Sequence, residues 1–263
     1  MGVAASVRFF AIMTGLLLWA AATGSAQAGP VSGVVVDGET GRPISGVTVA
    51  LSARGIDNNA AMSGDDVARD ATTVQTDRDG KFVLWSTQSG FLLTAYGKSN
   101  GRVAFHGVFP TGGVGTIKLL RPTREERSAL AQLNAFRAAR GIPGTLAFDE
   151  NLMESARYWA ALEGRTQRVG HTCASLGNPK GCIEFNAFYH QLPGAPREQF
   201  CGQNAAFDEI SSWTDPDQGF EDEEHQSGGE RGHYLNIISA DRWVGLGKTG
   251  VPGVGTYFAM NML

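Results

Sequence analysis

Gly232-His233-Tyr234-Leu235-Asn236-Ile237-Ile238, followed by Asp241-Arg242-Trp243-Val244-Gly245-Leu246-Gly247, is the stretch around which the rest of the chain can be read. A histidine opens a short apolar run, a turn follows, and the Trp-Val-Gly-Leu-Gly segment reads as a strand. Two glycines spaced two apart in a strand free one of its faces from side chains, so that another backbone or a ligand can approach closely.

Working outward, composition sets the class. The chain has 263 residues, enough for one large domain or two ordinary ones, and is 42% hydrophobic and 18% charged, as a globular protein is. A formal net charge of −4 and the absence of any lysine or arginine run argue against nucleic acid, which needs a concentrated basic face. The N-terminus reads as a targeting segment. Arg8 supplies the positive region, residues 9–22 are almost unbroken apolar sequence, and Ala26-Gln27-Ala28 fits small-x-small cleavage before Gly29. The apolar run is short for a bilayer span, and no second stretch could cross a membrane. The expectation is a signal peptide over 1–28 and a secreted or periplasmic protein. Export permits disulfides among Cys173, Cys182 and Cys201. Cys173 and Cys182 bracket a loop with Gly and Pro and are the preferred pair, with Cys182–Cys201 as the alternative. No Cys-x-x-Cys pair points to a zinc–thiolate cluster.

Residues 29–121 read as short strands and turns: Val31–Val36, Gly46–Leu51, Thr72–Thr76, Lys81–Trp85, Phe91–Tyr96, Arg102–Val108 and Thr116–Leu120. Asp77-Arg78-Asp79-Gly80 between two alternating runs is a local hairpin signal. Thr111-Gly112-Gly113-Val114-Gly115 and the segment 250–255 read as hairpin connections. Several short strands at close spacing predict a β-sandwich. The segments Ser32-Gly33-Val34-Val35-Val36-Asp37, Gly46-Val47-Thr48-Val49 and Thr76-Asp77-Arg78-Asp79-Gly80-Lys81-Phe82 resemble the carboxypeptidase regulatory-like domain, a small prealbumin-like sandwich. That resemblance implies no catalytic role. The polar segment Ile56–Arg69 lacks the acid spacing that wraps calcium and reads as a long loop.

The composition changes at Arg121-Pro122. Thr123-Arg124-Glu125-Glu126 is a capping box, predicting a helix that runs to about Arg140 and stops at Gly141 and Pro143, with Leu130, Leu133 and Phe136 or Arg137 near one face. Asp149 caps a second helix in which Leu152, Ala156 and Ala160 repeat every four residues and bury together. The segments Asn134-Ala135-Phe136-Arg137, Leu146-Ala147-Phe148-Asp149 and Ala156–Ala160 then lead to the Gly-His-x-x-Asn-Ile and Gly-x-Gly words of the opening stretch. Together they resemble the bacterial branch of the CAP superfamily (cysteine-rich secretory proteins, antigen 5, pathogenesis-related 1), from about Glu125 to the end. The class expected is therefore α+β: a C-terminal α-β-α sandwich of CAP type over 122–263, preceded by an all-β sandwich over 29–121. Thr256–Met262 should be a central strand of the C-terminal sheet.

The resemblance implies a cleft. In the family two histidines and two glutamates face one another, the histidines holding a divalent ion, often zinc. Neutral imidazole is a good zinc ligand, and a carboxylate can orient its other nitrogen or activate bound water. Here the histidines are His171, in Gly170-His171-Thr172-Cys173, and His233. The family's Gly-Glu-Asn word reads Gly202-Gln203-Asn204, and glutamine cannot be a general base. The second acid falls in Phe220-Glu221-Asp222-Glu223-Glu224, with Glu223 favoured by its spacing from Phe220, although such an acidic run is often only a solvated face. The expected ligand set is His171, Gln203, Glu223 and His233, with His171 and His233 on a metal such as zinc and Glu223 as the candidate catalytic residue. His190 and His225 are further candidate ligands. No His-Glu-x-x-His, Gly-x-Ser-x-Gly or phosphate loop is present. The leading expectation is a binding protein for a divalent metal, a small apolar molecule such as a lipid or sterol, or an envelope or host component. The alternatives are a zinc-dependent hydrolase acting on peptide or envelope polymer, with Glu223 as base, and a purely structural or adhesive surface protein.

Overall fold

The computed structural model of the chain describes residues 29–52, 72–86, 91–97, 101–109, 113–195, 201–208, 212–213, 219–220, 223, 231–239 and 241–263. The expected signal segment 1–28, the polar stretch 56–69, and Glu221, Asp222, Glu224 and His225 lie outside the described residues. The fold is α+β. Among the described residues no helix is long and apolar enough to cross a membrane.

Seven strands come first: β1 (Gly29–Asp37), β2 (Thr48–Ser52), β3 (Thr72–Gln75), β4 (Lys81–Ser86), β5 (Phe91–Tyr96), β6 (Phe105–Phe109) and β7 (Gly113–Leu119). They form a three-stranded sheet in the order β4-β1-β7 and a four-stranded sheet in the order β3-β2-β5-β6. Alternation along the strands turns Val31, Val35, Phe82, Leu84 and Ile117 of the first sheet toward Val49, Leu93, Phe91 and Phe105 of the second, and these residues form one buried cluster. The result is a β-sandwich.

Three details differ from the sequence reading. The turn at Asp77–Gly80 closes as expected, with Asp77 Oδ1 accepting from Asp79 N and Lys81 N. Its flanking strands nevertheless diverge: β3 pairs with β2, and β4 pairs with β1 in the other sheet. A local turn signal specifies the reversal but not the partner, which is set by which face each strand buries. Gly113 and Gly115 belong to β7 rather than to a connection. The β1–β7 register shifts at Ser32/Gly33, and Gly115 takes φ +79° there, so the glycines serve a bulge. Finally, β6 starts at Phe105 rather than Arg102, because the preceding backbone is engaged elsewhere. Val103 N donates to Leu120 O at 2.9 Å and Glu150 N to Ala104 O at 3.2 Å.

The second half contains helices α1 (Arg124–Ala139), α2 (Glu150–Thr166), α3 (Phe185–Tyr189) and α4 (Gly232–Ile238), with strands β8 (Ala147–Phe148), β9 (Gly202–Asp208), β10 (Trp243–Val251) and β11 (Gly255–Met262). The sheet order is β8-β10-β11-β9, parallel between β8 and β10 and antiparallel elsewhere, with the terminal strand β11 inside. The two helix caps read from sequence are formed. Glu126 N donates to Thr123 Oγ1 at 3.1 Å and Thr123 N to Glu126 Oε2 at 2.6 Å, while Leu152 N donates to Asp149 Oδ1 at 3.0 Å.

The glycines of the opening stretch receive a helix. A Cβ on Gly245 would stand 2.1 Å from Leu152 O, and one on Gly247 would stand 2.4 Å from Ala156 O. The approaching group is therefore the α2 backbone, and Leu152, Ala156 and Ala160 are fully buried against the sheet. On the opposite face Val244, Leu246, Phe258 and Met260 pack with Leu133 of α1 and Ile237 of α4.

The buried stripe of α1 is Glu126, Ala129, Leu133 and Arg137, with Leu130 and Phe136 only partly covered. The two polar members are buried against partners from elsewhere in the fold. Glu126 meets Arg157 at 2.9 Å, and Arg137 donates to the carbonyls of Ile237, Ser239 and Asp241 at 2.5, 3.0 and 3.2 Å. That fork closes the C-terminal end of α4, whose last carbonyls have no helical partner.

Candidate functional site

The site lies beside β9, an edge strand, between the loop that leaves α2 and the start of α4. Trp159 of α2 donates from Nε1 to Gly170 O at 2.8 Å, and buried Glu163 accepts from Gly170 N at 3.2 Å. These two contacts hold the residue immediately before His171. Burial pushes the Glu163 carboxyl up to about 8, against the Gly170 amide, which favours the charged form. The Cys173–Cys182 disulfide then closes the loop that follows, and Cys173 N donates to Glu184 Oε1 at 2.9 Å. Cys201 is a free, buried cysteine, and burial pushes its thiol far up.

His233 is placed by α4. Asn236, one turn further on, donates from Nδ2 to Asn204 Oδ1 at 2.8 Å and to Gln203 O at 3.2 Å, while Asn204 Nδ2 donates to His233 O at 3.1 Å. The asparagines of the Gly-Gln-Asn and Gly-His-x-x-Asn words thus clamp α4 onto β9. Glu223 takes the other end. Its Oε2 accepts from His233 N at 3.0 Å and Tyr234 N at 3.3 Å, and its Oε1 lies 2.6 Å from His233 Nδ1.

All four residues singled out from the sequence come together. Gln203 Oε1 is 3.0 Å from His171 Nδ1, and the His171 and His233 rings are 5.8 Å apart at 54°. Gln203 is buried, Glu223 and His233 are half-buried, and His171 is exposed, so only His171 stands over a buried hydrogen-bond partner. Phe220 packs against His233 with centroids 4.7 Å apart. Of the other histidines, His190 caps α3 beside Tyr189, and His106 lies in β6 between Asp149 and Trp243.

The geometry fixes what each ring can offer. Glu223 Oε1 can only accept, so His233 Nδ1 carries the proton and the lone pair of the neutral ring is at Nε2. His171 faces an amide oxygen and has the same arrangement. Two imidazoles with Nδ1–H held by an oxygen and Nε2 open are the arrangement found around bound divalent ions, and rings 5.8 Å apart are within the span of one ion with Zn–N bonds of about 2 Å. The count of ligands is less favourable. No group of three His, Cys, Asp or Glu residues able to hold a metal occurs among the described residues, and a catalytic zinc centre uses three protein ligands. Within the described residues the pair could offer an ion two ring nitrogens. Sequence reading overlooked Ser155 and Asn261, which stand behind Gln203. No motif marks them, because serine in a helix and asparagine in a strand are ordinary residues until the sheet brings them together.

No family model and no curated protein matches the sequence. Among solved structures the chain is similar to an outer surface protein of Borrelia burgdorferi, at 11% identity and a TM-score of 0.42, over 53% of this chain and 92% of that one. It is also similar to the C-terminal domain of the shaft pilin SpaA of Lactobacillus rhamnosus GG, at 17% identity and a TM-score of 0.27, over 36% of this chain and 99% of that one. A DUF3823 family protein of Parabacteroides merdae is similar at 16% identity and a TM-score of 0.26, over 36% of this chain and 46% of that one. Likenesses at this level carry no functional argument.

Proposed function

We propose that the chain is an exported binding protein of CAP type. In this reading residues 1–28 are a removed signal peptide, 29–121 a carboxypeptidase regulatory-like sandwich serving as a spacer, and 122–263 a CAP-type α-β-α sandwich. The protein works in the periplasm or outside the cell. Its cleft takes up a divalent cation on the Nε2 atoms of His171 and His233. The open coordination positions then recruit oxygen- or nitrogen-bearing groups of an envelope or host component.

The observation that carries this reading is the matched state of the two rings: each Nδ1 is engaged by an oxygen, of Gln203 or of Glu223, and the rings stand 5.8 Å apart. Two features weigh for binding over hydrolysis. Gln203 has no proton-accepting chemistry, and Glu223 uses both oxygens on His233 and Tyr234, so its role is to orient His233 rather than to activate water.

The test is calorimetric titration of the secreted protein with zinc chloride, beside a His171→Ala, His233→Ala double variant. The reading expects one ion per chain, lost in the variant. Equal uptake by both proteins, or none by either, refutes it.

A further inference from the structure

Behind His171 runs a hydrogen-bonded line in which every donor points the same way. It starts at the Leu152 carbonyl of α2, which can only accept. Ser155 Oγ, 3.0 Å away, donates its single proton there. The Ser155 oxygen must then accept from Asn261 Nδ2 at 2.8 Å. This turns Asn261 Oδ1 toward Gln203, whose Nε2 donates to it at 3.0 Å. Gln203 is left with Oε1 facing His171 Nδ1 at 3.0 Å. Each step follows from the one before, and the line ends by requiring a proton on Nδ1.

The need for such a line comes from the residue type at 203. A carboxylate offers two equivalent acceptors and would serve an Nδ1–H either way round. An amide offers one accepting and one donating end, and reversing it would give His171 Nδ1 a donor and move the ring proton to Nε2, closing that nitrogen to a ligand. Ser155 and Asn261 are fully buried and Gln203 nearly so, so no solvent contact compensates a reversed amide. Gln203 and Asn261 are direct partners across the β9–β11 ladder, and Ser155 lies on the helix packed over that face.

We propose that Ser155 and Asn261 are positioning residues for this site: they hold the Gln203 amide in the one orientation that leaves His171 Nε2 unprotonated and available to a ligand. This rests on the cleft reading above. The two ideas are tested by different readouts.

The tautomer of His171 is read directly from long-range nitrogen–proton correlation spectra of the nitrogen-15-labelled protein at a pH where the ring is neutral. Wild type should show the Nδ1–H form predominating. Asn261→Leu and Ser155→Ala should each raise the Nε2–H fraction several-fold. His233, held by Glu223, should keep its tautomer and serve as the internal control. Adding Gln203→Glu to Asn261→Leu should restore the Nδ1–H form, because a carboxylate needs nothing to set its direction. Zinc affinity should fall about 10-fold in the single variants and recover in the double. An Nε2–H tautomer in wild type overturns the proposal, even if neither variant folds. An unchanged tautomer in a variant that unfolds cooperatively at the wild-type midpoint overturns it as well. Absence of zinc binding in wild type would instead sink the cleft reading and leave the tautomer result standing.

Discussion

Gly245 lies so close beneath Leu152 that a Cβ on the glycine would stand 2.1 Å from the Leu152 carbonyl oxygen. Backbone presses on backbone here, so no side chain can swing away to make room. Gly245→Ala should therefore cost about 3 kcal/mol or more, read as a lower urea midpoint. Because the same carbonyl anchors the line to His171, any folded fraction should also bind zinc more weakly. A variant as stable as wild type would mean that α2 can lift from β10.

Glu163 and Glu150 make the protein less stable as pH rises. Burial pushes each carboxyl from 4.5 up to about 8, so the folded state holds protons that the unfolded chain releases near its ordinary value. Between about pH 5 and pH 8 folding takes up protons, and stability is lost as pH rises through the folded value. The thermal midpoint should fall from pH 5 to pH 9. Glu163→Gln keeps an acceptor for Gly170 N and removes the charge. It should flatten that decline and recover on the order of a few kcal/mol at about pH 9. Scanning calorimetry across this range decides it, and a wild-type midpoint that rises with pH contradicts the assignment.

Glu223→Ala tests the orienting role. Removing the carboxylate strips His233 N and Tyr234 N of their acceptor and frees the ring. Zinc affinity should drop between about 10- and 100-fold, and the start of α4 should exchange its amide protons faster. Glu223→Gln, which keeps one acceptor, should lie in between. Wild-type affinity in both variants would show that His233 is held by Phe220 and the helix alone.

The Cys173–Cys182 link spans nine positions, a loop short enough that its loss should cost about 2–3 kcal/mol through the unfolded chain. A Cys173→Ala, Cys182→Ala variant compared with wild type in denaturant gives this directly. Cys201, buried with its thiol pushed up, should resist a thiol reagent until the protein unfolds. Rapid labelling under native conditions would place it at a surface.

Much of the architecture was legible because its signals are local. Thr123 with Glu126, Asp149 before Leu152, and the alternation through β4 each involve residues within one turn or one strand, where chemistry dictates conformation directly. The pairing of Gly245 with Gly247 likewise announced a close approach, and the words around His171, Gln203 and His233 marked residues that the fold does bring together. What the chain could not announce is choice of partner. The Asp77–Gly80 turn reverses the backbone, but whether its strands pair with each other or enter two sheets depends on which faces find cover. Nothing local to α1 says how Glu126 and Arg137 can be buried, because their partners, Arg157 and the carbonyls ending α4, arrive from distant sequence.

The line from Leu152 through Ser155, Asn261 and Gln203 to His171 is the clearest case. The sequence alone determined that a glutamine stands at 203, with one accepting and one donating end. Only the tertiary structure decided which end faces the histidine, because the direction of a buried amide is set by neighbours that the chain supplies from α2 and β11, and each of those is directed in turn by the next.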